Sequence, residues 1–395
     1  MKYDFETRID RKERGNLKYM VFTPDILKQK DIPSYSGAEF EFRTAPCVME
    51  VVKEAAENGC FGFTLADDNY RRHIAWWLKN VRGADVEEAW ITPVLGTIFT
   101  VASMVRMINK DDGKMLVLTP GYNRYDQAVR RMKKPATYFS AMIEKDGRYV
   151  PDYDDLEEKM RDPLCRLFVF SNPNNPTGQI LMEEDLRRIL ELSRKYDVTI
   201  ISDEIFADVT LTERRVPVLA AMAEESDKVI STIALGKAFS FSGNNANAII
   251  KNPELREAFE EQKYADHFGS IDPLAYAAHI GGYTAEGKDW LDELIQVIRT
   301  NNSLFMDFFR RYRIQVTVPE AGYVLWADFR SLGMEEKELF DFLTNEAYFF
   351  VDPGEEYYGT PCNARICTAV PTSEVRKTIK RLEEAFTARG FHAGR

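Results

Sequence analysis

Short apolar runs that end abruptly in polar, Gly or Pro residues recur along the middle of the chain. MLVLTP (115–120), RLFVFSNP (166–173) and VTIISDE (198–204) are the clearest of them. A strand that is apolar on both faces needs cover on both faces, and parallel sheets sandwiched between helices meet that need. Segments with helical periodicity lie around these runs, near Cys47 to Asn58, Gly96 to Asn109, Glu183 to Tyr196 and Pro253 to Tyr264. Strand, turn and helix in that order predict an α/β large domain with a mostly parallel sheet flanked by helices, over residues 46–282. The texture then changes. TVPEAGYVLWADF alternates, and helices are expected at Glu335 to Asn345 and Thr372 to Ala388. Residues 283–395 therefore read as a smaller α+β domain, and residues 1–45, with little periodicity, as a segment packing with it or across a partner subunit.

Composition narrows the function classes. A chain of 395 residues that is 45% hydrophobic and 29% charged has material for a sizeable core and is not a disordered or fibrous protein. With 52 Lys and Arg against 63 Asp and Glu, its net charge of −11 repels phosphate backbones and anionic lipid surfaces. Neither nucleic acid nor membrane is an expected partner. Cys47, Cys60, Cys165, Cys362 and Cys367 are odd in number and scattered, which reads as free thiols in a reducing compartment. The start MKYDFETRIDRKERG lacks a signal-peptide core and no run is long enough to span a bilayer, so a cytoplasmic protein is expected. His73, His267, His279 and His392 do not cluster, and no metal site is expected.

In open α/β sheets ligands bind beyond the carboxyl ends of the strands. Three such ends carry chemically useful residues. SNPNNPTG (171–178) is an irregular loop containing Asn175, and ISDEIF (201–206) puts Asp203 directly after an apolar strand. STIALGKAFSFSG (231–243) surrounds Lys237 with small and aromatic residues rather than charges. Taken singly, these read as a turn, a helix cap and a solvated lysine. Together they supply an amide, an acid and an amine that burial can deprotonate, the set that pyridoxal phosphate requires.

On these motifs the chain resembles the fold type I, class I/II aminotransferase superfamily of pyridoxal-phosphate enzymes, over essentially its full length. The resemblance implies that Lys237 forms the imine with the cofactor aldehyde and later moves the α-proton, that Asp203 pairs with the protonated pyridine nitrogen, and that Asn175 donates to the phenolate oxygen. It also implies a phosphate site at Gly96, Thr97 and Ile98 of TPVLGTIFT, a ring stacked on the cofactor at Tyr122 of LTPGYNRY, and an α-carboxylate anchor at Arg365 of YYGTPCNARI. Without the resemblance, Tyr122 is a turn residue and Arg365 a surface arginine.

RGNLKYM, AEFEFRTAP, NGCFGFT, DEIF and PEAGYVLWADF are similar to the cystathionine and cysteine-conjugate β-lyase branch. That branch implies α,β-elimination giving thiol, pyruvate and ammonia. An aminotransferase, and a protein of this fold with mainly a regulatory protein-binding role, are the alternatives. Several positions depart from the family. Phe63 stands where a partner tyrosine usually reaches the phosphate, Phe206 where a tyrosine or histidine lies near the cofactor, Ala234 and Gly236 where hydroxyl residues are common, and Asn245 where aminotransferases carry an arginine. The resemblance further implies a homodimer with its active site completed at the subunit interface, acting on a small amino-acid substrate.

Overall fold

The apolar runs form the centre of an eight-stranded sheet in the computed structural model, which describes all residues except 13, 109–111, 133–135, 146, 244–245 and 395. Its strands are β1 (Ile91–Val94), β2 (Lys114–Thr119), β3 (Thr137–Lys145), β4 (Arg148–Pro151), β5 (Cys165–Ser171), β6 (Thr199–Asp203), β7 (Val229–Ala234) and β8 (Ala246–Ile249). They lie in the order β1-β8-β7-β6-β5-β2-β3-β4. The five strands from β7 to β3 run parallel, and the outer pairings are antiparallel.

Alternation along the central strands sends neighbouring residues to opposite faces. Leu116, Phe168, Ile200 and Ile233 enter one core with Leu186, Ile189 and Leu190 of the helix Glu183–Tyr196. Val117, Val169, Ile201 and Ile230 enter another with Val101, Met104 and Val105 of the helix Thr97–Ile108. Burial on both faces explains why these strands lack polar alternation. Register matters for function: Ser171 pairs with Asp203, and Asp203 with Thr232. The carboxyl ends of β5, β6 and β7 therefore finish side by side, and the segments that follow leave from one edge.

A second sheet, of order β11-β12-β10-β9, is built from β9 (Gln315–Thr317), β10 (Val324–Asp328), β11 (Asp352–Pro353) and β12 (Asn363–Cys367). It is antiparallel throughout. Leu325, Ala327 and Ile366 pack there with Phe342 and with Phe386 of the helix Thr372–Ala388. The long helix Ala285–Arg311 joins the two units, placing Trp290, Leu294 and Ile298 in the large core and Phe305, Phe308 and Phe309 in the small one. The N-terminal segment divides in the same way. Tyr35 sits in the small core, whereas Phe5, Phe40 and Phe42 join Trp290 in the large one. Its contact with the large unit was absent from the sequence reading, because three isolated aromatics in a non-periodic stretch reveal no direction. Among the described residues no helix is long and apolar enough to cross a membrane.

Candidate active site

Asp203 ends β6 and is 3% exposed. Its Oδ2 accepts from the Tyr125 hydroxyl at 2.5 Å and its Oδ1 from the Ile205 N–H at 3.2 Å. No cation pairs with it among the described residues. Burial raises its pKa to about 6, with the Tyr125 and Ile205 hydrogen bonds pulling the other way. A buried carboxylate short of a counter-charge is the state expected of a group built to meet an external cation.

Lys237 lies in the short helix Leu235–Ala238 directly after β7. Its Nζ donates to the Ala38 carbonyl at 2.8 Å and sits 5.6 Å from the centre of the Phe206 ring. Burial pushes the ammonium pKa below the ordinary lysine value, opposed by Glu39 and reinforced by Arg365. The small and aromatic surroundings seen in the sequence thus correspond to a poorly solvated amine.

Arg365, on β12, is 4% exposed, so it is no surface arginine. Its Nε and Nη2 donate to Asp352 Oδ2 at 3.0 and 2.5 Å, and its Nη1 donates to Asn175 Oδ1 at 3.0 Å. The guanidinium rests 4.5 Å from the centre of the Tyr357 ring. Burial opposes its charge, yet Tyr357 and Asp352 outweigh burial and hold its pKa above the ordinary arginine value. With the Nε edge taken by Asp352, protons on Nη1 and Nη2 remain for an end-on fork to a carboxylate.

Asn175 is fixed from two sides: its backbone N–H donates to Ser171 Oγ at 2.9 Å, and its Oδ1 is held by Arg365. That leaves its amide nitrogen without a partner among the described residues. Ile98, Tyr122, Asn175, Phe206, Lys237 and Arg365 line one cavity of about 520 Å³. Tyr122 meets Tyr125 edge-on at 5.5 Å, and Phe206 meets Tyr323 at 5.2 Å. Thr97 is buried behind the cavity, bonded through Oγ1 to Thr232 Oγ1 at 2.8 Å, and Gly96 immediately precedes the helix N-terminus with φ +149°. That φ is one that favours glycine.

Not every singled-out position joins the cavity. Phe63 is 98% exposed and lies outside the lining. Ala234 closes β7 and Gly236 is buried in the short helix, each beside the lysine in sequence but outside the lining. Asn245 lies outside the described residues. Three important contacts escaped the sequence reading. Tyr125 stands three residues after Tyr122, a helical spacing that offered a signal. Asp352 and Tyr357 had none. Asp352 also accepts from the Ser36 hydroxyl and from the Gly37 N–H, tying the N-terminal segment to Arg365. Among the described residues no group of three His, Cys, Asp or Glu side chains is placed to hold a metal ion.

Known proteins are similar to this one over essentially whole chains. The sequence is 29% identical over 358 residues to cystathionine beta-lyase PatB of Bacillus subtilis, covering 90% of this chain and 92% of that one. The structure superposes on cystalysin from Treponema denticola, which contains a pyridoxal 5'-phosphate cofactor, with a TM-score of 0.90 and 29% identity over 98% of this chain and 100% of that chain. A PLP-bound C-S lyase from Staphylococcus hominis matches with a TM-score of 0.87 and 25% identity, covering 98% of this chain and 99% of that chain. Residues 34–382 match the family described as aminotransferase class I and II, and the chain belongs to that family.

Proposed function

We propose that the protein is a pyridoxal-phosphate-dependent carbon–sulfur β-lyase that cleaves L-cysteine S-conjugates or cystathionine. The observation that carries this reading is one cavity holding a lysine of lowered pKa and an end-on arginine fork, with an unpaired buried carboxylate behind it. This donor set fits the cofactor. Lys237 suits its aldehyde, Asp203 its ring nitrogen, Asn175 its phenolate oxygen and Tyr122 its ring face, while the helix start at Gly96, Thr97 and Ile98 suits its phosphate. Phe206 supplies an apolar wall in place of a polar neighbour. Bound there, pyridoxal phosphate supplies an electron sink that acidifies the α-carbon.

The chain's own residues do the rest. Arg365 holds the substrate carboxylate through Nη1 and Nη2, while Asp352 and Tyr357 keep the guanidinium from rotating. Lys237, its pKa lowered by burial, takes the α-proton at Nζ. Asp203 keeps a negative charge behind the site. The carbon–sulfur bond breaks, the sulfur leaves as thiol, and water completes the balance to pyruvate and ammonia. Support for elimination comes from PatB, named a cystathionine beta-lyase, and from the C-S lyase structure. The test follows pyruvate from L-cystathionine, first without a keto-acid acceptor and then with 2-oxoglutarate. Catalytic, acceptor-independent pyruvate is expected. Glutamate formed only once acceptor is present, without elimination, assigns the chain to the aminotransferases, the second reading that the family description favours.

We place the protein in the cytoplasm, a reading supported by its five free cysteines, four of them buried. We also propose a homodimer. Phe61, Phe63 and Leu65 are 57%, 98% and 67% exposed within five consecutive residues, an apolar edge that a second copy would cover. Light scattering is expected to give twice the chain mass, and Phe63→Asp to shift the population toward monomer. A wild-type monomer with full activity contradicts the assembly.

A further inference from the structure

The chain carries a net charge of −11, yet one concavity outside the active site has the opposite sign. It is an open cavity of about 550 Å³ between the N-terminal segment and the helix Thr372–Ala388. Five cations, Arg8, Lys12, Lys30, Lys377 and Arg381, line it against three carboxylates, a surplus of two positive charges. Those carboxylates are already engaged. Asp31 takes Arg8 and also Lys12, the latter at 2.8 Å, while Asp10 lies 3.8 Å from Lys12. Glu374 is paired with Lys377 at 2.7 Å. Lys30 and Arg381 are left in no ion pair among the described residues, although both face the same cavity.

Arg381 is held in place rather than waving in solvent. Residues 374, 377, 378 and 381 follow the spacing of one helical face. Thr378 Oγ1 accepts from Arg381 Nη2 and from the Tyr35 hydroxyl, each at 2.8 Å, which fixes the guanidinium. Its Nε is buried and has no partner among the described residues. Burial holds its pKa below the ordinary arginine value, and Tyr35, Glu374 and Glu384 oppose burial without outweighing it. A half-buried guanidinium without a counter-ion keeps donors for an external acceptor. Lys30 is steadied in turn, its Nζ 4.6 Å from the centre of the Tyr348 ring. We propose that this cavity is a binding site for a phosphate group, carried by inorganic phosphate or by a small phosphate monoester, with Arg381 as the planar fork and Lys30 as a point charge. Such a group bears a charge of about −1.5 to −2 at pH 7, which the surplus of two positive charges matches and a single carboxylate would not. Bound there, it would tie the N-terminal segment to the C-terminal helix.

The test titrates inorganic phosphate and glycerol 3-phosphate into holoprotein by calorimetry, at an ionic strength held constant with chloride. Bound cofactor keeps the phosphate site at the start of the helix Thr97–Ile108 filled. Saturable binding of one phosphate per chain is expected, with acetate weaker by about tenfold or more. Arg381→Gln and Lys30→Gln are each expected to weaken phosphate binding by about tenfold, whereas Arg124→Gln, in the active-site cavity, leaves it unchanged. Tighter binding of glycerol 3-phosphate than of inorganic phosphate identifies a monoester as the ligand, and the reverse identifies the free ion; both uphold the site. Thermal midpoints without phosphate check folding, and if Arg381→Gln fails to fold, Lys30→Gln, at an exposed position, decides alone. No saturable binding to wild type, or affinity within twofold of wild type in the variants, overturns the site. An equal loss in Arg124→Gln overturns it too, by placing the anion in the active-site cavity, and acetate bound as tightly as phosphate overturns the choice of ligand.

Discussion

Lys237→Ala is expected to lower pyruvate release by about 10²- to 10⁴-fold, the range assigned to loss of a positioned general base. The thermal midpoint should change little, because the side chain makes one hydrogen bond, to the Ala38 carbonyl, and is otherwise poorly solvated. Two further readouts separate this role from a structural one. Pyridoxal phosphate should dialyse away faster from the variant, since its covalent anchor is gone. Lys237→Arg, which preserves a cation but cannot supply a neutral amine near neutral pH, should be as inactive as Lys237→Ala. In wild type, the lowered pKa of Lys237 makes activity rise with pH and level off before an ordinary lysine would titrate. Residual activity within tenfold of wild type in both variants would remove Lys237 from proton transfer.

How much of this was visible in the sequence depends on the range of the force concerned. The helices Glu183–Tyr196 and Thr372–Ala388 were read to the residue, because an amphipathic repeat is a local pattern. The central strands stand out locally too, as continuous apolar runs with abrupt polar ends, and with them the places where Asn175, Asp203 and Lys237 stand. The edges were harder. β1 is four residues long and contains Pro93, which an outermost strand tolerates and which a sequence pattern reads as a break. The support of the site was harder still. Asp352 reaches Arg365 across 13 positions and Ser36 across 316, so nothing periodic announces either contact. Sequence reading therefore located the groups that could do chemistry, whereas the groups that hold them still emerged only with tertiary structure.

Asp203→Asn is expected to act in opposite directions on the cofactor-free and cofactor-loaded protein. In the free protein the carboxyl titrates at about 6, against 3.8 when unperturbed. Between those values the folded state binds the extra proton, so stability is fully present below pH 4 and is lost as pH rises through 6. The shift corresponds to about 3 kcal/mol lost by pH 7. Asparagine carries no charge to desolvate, and the Tyr125 hydroxyl can accept from its amide as readily as it donates to the carboxylate. The cofactor-free variant should therefore unfold at a higher temperature than wild type at pH 7 and lose that advantage near pH 4. Pyridoxal phosphate binding should weaken by about 5- to 12-fold, because a charge-assisted hydrogen bond of about 1.5–3 kcal/mol to the ring nitrogen is replaced by a neutral one of about 0.5–1.5 kcal/mol. Thermal melts across pH, with and without cofactor, measure both effects. If the substitution destabilises the free protein at pH 7, the carboxylate is better solvated than its burial implies. If it leaves cofactor affinity unchanged, Asp203 is not the partner of the ring nitrogen. Both effects together would mean that folding leaves this carboxylate uncompensated until the cofactor's cation arrives, with local stability traded for affinity at the site where β6 ends.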